Sequence, residues 1–169
     1  MKKNLLLFFF ATLLLSSFAQ TNARISPDFT AITMDHDTLV LSDILSNQYE
    51  FVALEFFFTE SQFCIETSPF FSQAFHSMGC NEHDVLFLSI NMGNDSNQVR
   101  NYMDSLSIQN PVVSGLEGNG SSINELYEIS AYPTFVLISR DTLIAHDTIS
   151  TIDTIINGND TTYTWDVDI

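Results

Sequence analysis

The chain has 169 residues, of which 45% are hydrophobic, and this length fits a single domain with room for a proper core. It carries 21 acidic and five basic residues, for a formal net charge of −16. Nucleic acid and anionic membranes repel such a surface, so both are excluded as partners. We attribute the acidity to solubility or to adaptation to a salty environment, and not to a site.

The N-terminal segment has the order of a secretory signal peptide. Lys2 and Lys3 precede an apolar run over residues 5–15, and the small-residue stretch SSFAQTNA follows. Cleavage after Ala19 and cleavage after Ala23 fit equally well. An uncleaved membrane anchor is the alternative, but the apolar run is shorter than the about 20 residues that a spanning helix needs. We therefore predict an exported protein, periplasmic or extracellular, with no membrane attachment after cleavage.

The first half of the mature chain predicts two strands, a helix, a third strand and a longer helix. In order, these are strands 29–33 and 38–41 with a turn over 35–37, a short helix capped by Ser42 and ending near Asn47, a strand over 49–58, and a helix over 61–78. The run YEFVALEFFF is typical of a strand that is covered on both faces, which favours a central, parallel position. Gly79 is predicted to end the second helix.

The second half continues the alternation of strands and helices. In order, it predicts a strand over 84–91, a helix capped by Asp95 or Ser96, a loop with Pro111 and the stretch SGLEGNGSS, a helix over 123–129, strands 132–139 and 142–149, and a last helix over 150–157. The polar tail over residues 158–169 is expected to be loose.

This order of elements predicts an α/β fold. We expect a three-layer sandwich around a mixed central sheet, with parallel strands inside, an antiparallel edge and an added N-terminal β-hairpin. One domain is expected, over residues 25–157.

The turn after the third strand carries the most specific signal. Ser61-Gln62-Phe63-Cys64 has the spacing of a dithiol redox motif whose first cysteine is replaced by serine. Together with Pro69, the Tyr132-Pro133-Thr134 element and the N-terminal hairpin, it resembles the thioredoxin superfamily over residues 25–156. The similarity is greatest to the exported thiol-disulfide oxidoreductases of the TlpA-like, redoxin and alkyl-hydroperoxide-reductase branch. This resemblance implies a thioredoxin-like fold.

The resemblance also implies what individual residues do. In the superfamily the first cysteine attacks a disulfide and the second resolves the mixed disulfide. Because Ser61 takes the attacking position, dithiol exchange by this site alone is not available. Cys64 would then be the reactive group, with Ser61 as its hydrogen-bond partner and an external or partner-protein thiol to complete the cycle.

Two acidic residues near this turn are expected to affect the protonation of the Cys64 thiol. Glu55 matches the superfamily's buried carboxylate, which implies a proton acceptor for the cysteine. A carboxylate inside an apolar strand has a raised pKa, although an open strand end would leave Glu55 solvated. Glu60 replaces the usual tryptophan, and its charge would raise the pKa of a neighbouring thiol.

A binding module without catalysis is the main alternative function. In the superfamily, the residue before a cis-proline pairs with a bound peptide like an extra strand. The resemblance therefore implies that Phe63, Tyr132, Pro133 and Thr134 could hold an extended peptide. Otherwise Pro133 is a structural turn residue.

A peroxiredoxin-like peroxidase acting on peroxide is a lesser alternative, because Ser61-x-x-Cys64 also resembles that family's site. Two positions depart from its pattern: Phe57 stands where the family has proline, and Pro133 where it has arginine. Arg100 or Arg140 would have to reach Cys64 from elsewhere.

The second cysteine, Cys80, lies 16 residues after Cys64, across one predicted helix. At a rise of about 1.5 Å per residue the two are roughly 24 Å apart, whereas bridged Cα atoms lie within about 7 Å. An intramolecular disulfide is therefore not expected. We expect Cys80, which follows Gly79 at the C-terminal end of the helix, to be a buried or half-buried structural thiol. The protein is expected to be a monomer, with a disulfide-linked dimer through either cysteine as the alternative.

The four histidines lack metal-ligand spacing, so we expect no metal site. No other cofactor is predicted.

Overall fold

The computed structural model describes residues 24–140 and 144–146. The strands in this part of the chain are β1 (Arg24–Ile25), β2 (Thr30–Ile32), β3 (Thr38–Val40), β4 (Phe51–Phe57), β5 (Val85–Asn91), β6 (Val112–Val113), β7 (Thr134–Ser139) and β8 (Ile144–His146). The helices are α1 (Leu41–Asn47), α2 (Gln62–Ser77), α3 (Ser96–Leu106) and α4 (Gly120–Leu126).

Six strands form one mixed sheet in the order β1-β8-β7-β4-β5-β6. Strand β4 pairs in parallel with β5 and antiparallel with β7, and β5 pairs in parallel with β6. Strands β2 and β3 form a separate N-terminal hairpin. The predicted mixed sheet and added hairpin are confirmed. The antiparallel strands make up one whole side of the sheet, however, and not only its edge.

Strand β4 lies in the middle of the sheet and has two differently lined faces. Successive side chains of a strand point to opposite faces, so Val52, Leu54 and Phe56 pack together with α1, α4 and the hairpin. Phe57 and Glu55 point the other way, where Phe57 packs with residues of α2 and α3 and Glu55 bonds to α2. Helices therefore cover both faces of the sheet, which is the three-layer arrangement that the sequence predicts.

Helix α2 follows β4 after a turn of four residues. Ser61 is its N-cap, and the Ser61 hydroxyl oxygen accepts a hydrogen bond from the Cys64 amide at 3.4 Å. The helix ends at Ser77, and Gly79 follows with a φ of +91°, a left-handed conformation that glycine adopts at least cost. The predicted helix over 61–78 is confirmed to within one residue at each end.

The cap of helix α1 differs from the prediction. Ser42 is not the N-cap, because Val40 occupies that position and the helix begins at Leu41. The carboxylate of Asp28 accepts hydrogen bonds from the Ser42 amide at 2.9 Å and from the Ser42 hydroxyl at 2.7 Å. Asp28 therefore supplies the cap from 14 residues upstream. A pattern of neighbouring residues cannot predict a contact at that distance in the sequence.

Two further predictions in the second half need correction. Val112 and Val113 form strand β6 in a segment that the sequence analysis assigned to a loop. Helix α4 begins at Gly120 and not at residue 123. A Cβ atom at Gly120 would collide with the Asn91 carbonyl oxygen, so the helix starts at a close tertiary contact that hydrophobic periodicity cannot predict. Asp95, one of the two predicted caps of α3, is confirmed and forms a capping box with Gln98.

Several predicted segments lie outside the described residues: the signal peptide, the helix over 150–157, the tail over 158–169 and the ends of the strand over 142–149. Within residues 24–140 and 144–146, no helix has the length and the apolar composition that crossing a membrane requires.

Candidate functional site

The candidate site lies where β4 ends and β7 begins. These strands are antiparallel, and Phe56 pairs with Thr134. The residues that follow Phe56 and the residues that precede Thr134 therefore meet at the same edge of the sheet. This pairing brings the turn before Cys64 next to the Tyr132–Pro133 peptide bond, which is cis, as the resemblance implies.

Cys64 lies on the inner face of α2 with 0% of its surface exposed. It packs in a cluster that includes Phe57, Tyr102 and the half-buried Tyr132. Burial raises the pKa of the Cys64 thiol, hydrogen bonds from the Ser61 side chain and the Phe58 backbone lower it, and the charge of Glu55 raises it further. The net effect keeps this sulfur in the protonated form, which is the less nucleophilic one.

Arg100 and Arg140 do not lower the pKa of the Cys64 thiol. The Arg140 side chain donates from Nε to the Leu45 carbonyl oxygen at 2.6 Å and from Nη2 to the Tyr49 carbonyl oxygen at 2.7 Å. These partners lie beside the start of β4, at the opposite end of the strand from Cys64. Arg100 is exposed on α3, and neither arginine contributes to the pKa of Cys64. Glu60, exposed at the turn, also makes no contribution to that pKa.

Glu55 is buried beneath Cys64, with 1% of its surface exposed, so the solvated alternative does not apply. Its two carboxylate oxygens each accept a hydrogen bond at 2.6 Å, one from the Ser68 hydroxyl and one from the Ser89 hydroxyl. Burial raises the pKa of Glu55 to about 7, and the two serine hydrogen bonds oppose that rise. This carboxyl group can therefore exchange its proton near neutral pH.

Further polar side chains extend the network around Glu55. The Tyr102 hydroxyl lies 2.8 Å from the Ser68 hydroxyl, and the Asn110 Nδ2 group donates to the Ser89 hydroxyl at 2.8 Å. Asn110 Oδ1 is buried without a hydrogen-bond partner in the described structure. Sequence reasoning identified Glu55 but missed all four of these partners. A serine inside the apolar run VLFLSIN was the one available signal, because Ser89 pairs directly with Glu55 across the two parallel strands.

The groove residues divide into exposed and buried ones. Phe63 is 69% exposed, whereas Tyr132 and Pro133 are half-buried. Thr134 is buried, and its hydroxyl donates to the Ala131 carbonyl oxygen at 2.8 Å, so it stabilises the turn before β7. The structure thus brings Tyr132 and Pro133 to the Cys64 edge of the sheet and leaves Phe63 facing solvent there.

The backbone of Tyr132 is unpaired in the described part of the chain. Neither its amide nor its carbonyl forms a hydrogen bond within residues 24–140 and 144–146. Its side chain, in contrast, is fixed, because the hydroxyl donates to Asn124 Oδ1 at 3.0 Å and the ring lies 6.5 Å from the Phe58 ring. Asn124 in turn donates from Nδ2 to the Gly120 carbonyl oxygen at 2.9 Å. Sequence analysis did not single out Asn124.

The prediction for Cys80 is wrong. This thiol is exposed and not buried, since α2 ends at Ser77 and the chain then passes through positive φ angles at Gly79 and Cys80. The sulfur lies 3.3 Å from His76 Nδ1 on the surface. Both cysteines are free thiols at opposite ends of the helix. Among the described side chains, no group of three or more His, Cys, Asp and Glu residues could hold a metal ion.

No protein-family model matches this sequence, and neither does any curated protein. Solved structures do match it. The chain is similar to a proposed protein disulfide isomerase from Bacteroides thetaiotaomicron, with 19% identity, a TM-score of 0.64, and coverage of 75% of this chain and 76% of that one. It is also similar to a thiol:disulfide interchange protein of the thioredoxin family from Chlorobium tepidum, with 19% identity, a TM-score of 0.62, and coverage of 79% and 89%.

A third similar structure is a secreted disulfide oxidoreductase of Mycobacterium tuberculosis, homologous to Escherichia coli DsbE. It shares 21% identity, with a TM-score of 0.55 and coverage of 69% of this chain and 79% of that one. At these identities the likeness establishes the fold, which is thioredoxin-like with an added N-terminal hairpin.

Replacing Glu55 by glutamine should remove a specific pH dependence of stability. The pKa of Glu55 is 4.5 in its ordinary environment and about 7 in the folded protein, so the folded state holds this proton more tightly. Its contribution to stability is fully present below pH 4.5, falls as the pH rises and is lost above about pH 7. The total change is on the order of 3 kcal/mol.

The measurement is urea unfolding of the wild-type protein and Glu55→Gln between pH 4.5 and 8. The free energy of unfolding of the wild type should fall relative to that of the variant over this range. Glu60→Gln, at an exposed carboxylate, is the control and should run parallel to the wild type. A wild-type and Glu55→Gln difference that stays constant with pH would contradict the prediction.

Proposed function

We propose that this protein is an exported thioredoxin-fold module that binds an extended segment of a partner polypeptide at the Cys64 edge of the sheet. The observation that carries this proposal is the backbone of Tyr132, which is unpaired within the described residues and belongs to a residue packed in the cluster of Cys64, the sequence neighbour of the exposed Phe63. A free amide and carbonyl next to a sheet can pair with an extended chain as a further strand does. Phe63 would contact an apolar side chain of that segment.

The same geometry argues for binding in preference to catalysis. Ser61 occupies the half-exposed position at the start of α2, where a thiol would meet a substrate, but a hydroxyl does not carry out disulfide exchange. The remaining sulfur, Cys64, is buried and has a raised pKa. Binding through Tyr132 and Phe63 needs neither a thiolate nor access to Cys64.

Peptide binding should therefore be independent of the cysteine. We expect mature protein to capture a reproducible set of sequences from an array of random 12-residue peptides. Cys64→Ser should bind the same set with unchanged affinity. Phe63→Ala should weaken binding about tenfold through loss of an exposed aromatic anchor, and Tyr132→Ala should also weaken it.

Leu126→Ala is the matched control, because Leu126 is an exposed apolar residue on α4. Circular dichroism shows whether each variant is folded, which matters most for the partly packed Tyr132. The proposal fails if no sequence is captured above background, or if Cys64→Ser abolishes capture.

One-cysteine redox chemistry through Cys64 is the second candidate, and the position of Glu55 favours it. With a pKa of about 7, Glu55 could take the thiol proton. The Cys64 thiolate would attack a partner's disulfide, forming a mixed disulfide and releasing one partner thiolate. An external thiol would then attack the Cys64 sulfur of the mixed disulfide, releasing the partner's second thiolate so that the partner is fully reduced. A second external thiol would attack the external sulfur now bound to Cys64, which frees Cys64 and joins the two external thiols in a disulfide. This cycle requires Cys64 to become exposed when the partner binds.

Alkylation by iodoacetamide distinguishes the two candidates. In the folded protein between pH 6 and 9, we expect the exposed Cys80 to react at least tenfold faster than Cys64, because burial blocks access and keeps the thiol protonated. Cys80→Ser and Cys64→Ser assign the two rates, and unfolding in urea should make them equal. Rapid alkylation of Cys64 near neutral pH would favour the redox candidate over the binding one.

The same geometry also bears on two minor alternatives, a disulfide-linked dimer and a peroxidase. A disulfide-linked dimer would form through Cys80, since this thiol is exposed and Cys64 is not. A peroxidase has the least support, because Phe57 and Pro133 depart from the peroxiredoxin pattern and neither Arg100 nor Arg140 contributes to the pKa of Cys64.

Export is the remaining part of the proposal and rests on the N-terminal sequence. When the whole chain is produced in a bacterium, we expect it outside the cytoplasm with residues 1–19 or 1–23 removed. Intact mass of the purified protein identifies the new N-terminus as Gln20 or Arg24. A cytoplasmic protein that retains Lys2 and Lys3 would contradict the proposal.

A further inference from the structure

Three large apolar side chains are exposed around the candidate site, and we call them the apolar rim. Phe63 is 69% exposed, Leu116 is 64% exposed and Met92 is 37% exposed. Phe63 belongs to the first turn of α2, Met92 directly follows β5, and Leu116 lies in the loop before α4.

Hydrogen bonds hold these segments at one edge of the sheet. The Met92 amide donates to the carbonyl oxygen of Phe57 at 3.0 Å, which fixes Met92 beside the end of β4. The Leu116 amide donates to the Asn94 carbonyl oxygen at 3.3 Å. Asn94 Oδ1 accepts from the Thr59 amide at 3.4 Å, which joins this loop to the turn before α2. The apolar rim therefore belongs to the same end of the molecule as Cys64.

Three exposed carboxylates lie close in sequence to Phe63 and Leu116, two of the three rim residues. Glu60 precedes Phe63 by three residues, and Glu66 follows it by three, which places Glu66 on the same face of α2. Glu117 is the neighbour of Leu116. All three side chains are exposed.

The three carboxylates are not neutralised by the described part of the chain. Glu66 accepts from Gln62 Nε2 at 2.8 Å, and Glu117 accepts from the Ser96 hydroxyl at 2.9 Å. Neither these two nor Glu60 forms an ion pair within residues 24–140 and 144–146. Glu117 Oε2 accepts two further hydrogen bonds, from the Ser96 amide at 2.9 Å and from the Ser114 hydroxyl at 3.1 Å, but these donors carry no formal charge. The apolar rim is therefore accompanied by negative charge that no described cation neutralises.

This charge decides between the possible occupants of the rim. A second copy of the chain is disfavoured, because after signal cleavage three arginines oppose 21 acidic residues and the net charge is −18. The chain's own tail over residues 158–169 is disfavoured too, because it contains Asp160, Asp166 and Asp168 and no basic residue. An occupant with positive charge is favoured by simple Coulomb attraction.

We propose that the bound polypeptide is cationic: an extended segment of a partner protein in which apolar side chains contact Phe63, Met92 and Leu116 while lysine or arginine side chains pair with Glu60, Glu66 and Glu117. This inference rests on the proposed function and names its partner class. Each exposed ion pair contributes a few-fold to affinity, and salt screens all of them.

Three synthetic peptides test the proposal against the mature chain. Each has 12 residues in which Phe, Leu and Val alternate with a variable residue, which is lysine, glutamine or glutamate throughout. Fluorescence anisotropy at 20 mM NaCl should show the lysine peptide binding about tenfold or more tightly than the glutamate peptide, with the glutamine peptide between them. At 500 mM NaCl this preference should fall to about two- to threefold, because the Debye length shortens to a few ångströms.

Two sets of variants locate the charge effect. Glu60→Gln, Glu66→Gln and Glu117→Gln together should remove most of the preference for lysine. The double variant Glu60→Gln, Glu66→Gln keeps the Glu117 contacts with Ser96 and should remove part of it without loss of fold. The matched control carries Glu50→Gln, Glu82→Gln and Asp84→Asn, which change the net charge equally at exposed positions near the opposite end of β4 and β5.

The outcomes separate this inference from the proposed function. If all three peptides bind with equal affinity, the cationic partner is wrong while peptide binding stands. If none of the peptides binds at either salt concentration, and the peptide array also yields none, both proposals are wrong. If the control variant lowers the preference as much as the rim variant, the attraction comes from overall charge and the assignment to Glu60, Glu66 and Glu117 is wrong.

Discussion

The two-sided pairing of strand β4 is the constraint on which the rest of the structure depends. Its register with β5 sets Glu55 opposite Ser89, and its register with β7 sets Phe56 opposite Thr134. The first pairing supplies a hydrogen-bond donor to a carboxylate that could not otherwise be buried at tolerable cost. The second brings the Tyr132–Pro133 peptide next to the turn that begins α2. A slip of one residue would reverse the faces of β4 and remove both.

The site consists of a buried part and an exposed part that meet at the first turns of α2. Cys64 and Ser68 point inward from α2 to Glu55, in surroundings where burial raises the pKa of both the thiol and the carboxyl group. Phe63 points outward from the same turn. A redox enzyme of this fold needs a sulfur on the exposed side, and here that position holds Ser61. The surface at this turn therefore carries Phe63, while Cys64 is buried beneath it.

The positions of the acidic residues are more informative about binding than the total charge is. An acidic composition suffices to explain solubility or salt tolerance wherever the carboxylates are scattered. Glu60, Glu66 and Glu117 differ because they lie close in sequence to exposed apolar side chains at the Cys64 end of the molecule. Electrostatic complementarity contributes mainly to the choice of partner and to the association rate, so such a site would select among extended segments more than it would strengthen each contact.

The sequence by itself determined much of the architecture. Local signals were sufficient for the helix that Ser61 caps, for the Asp95 cap and for the buried run that became β4, because capping and periodicity are properties of neighbouring residues. The resemblance carried by Cys64 and Pro133 implied the thioredoxin-like fold and the cis peptide bond. Local signals failed at Ser42, where the cap comes from a distant aspartate.

Only the tertiary structure decided how the site is exposed. Burial of Cys64 depends on Tyr102 and Tyr132, which are remote in sequence, and exposure of Cys80 depends on where the chain turns after α2. The hydroxyl partners of Glu55 come from α2 and β5, and the unpaired backbone of Tyr132 results from where β7 begins. The burial, the pKa and the hydrogen-bond pairing of a group depend on its neighbours in space. Those neighbours come from distant parts of the sequence and are in place only when the strands are paired in their native register.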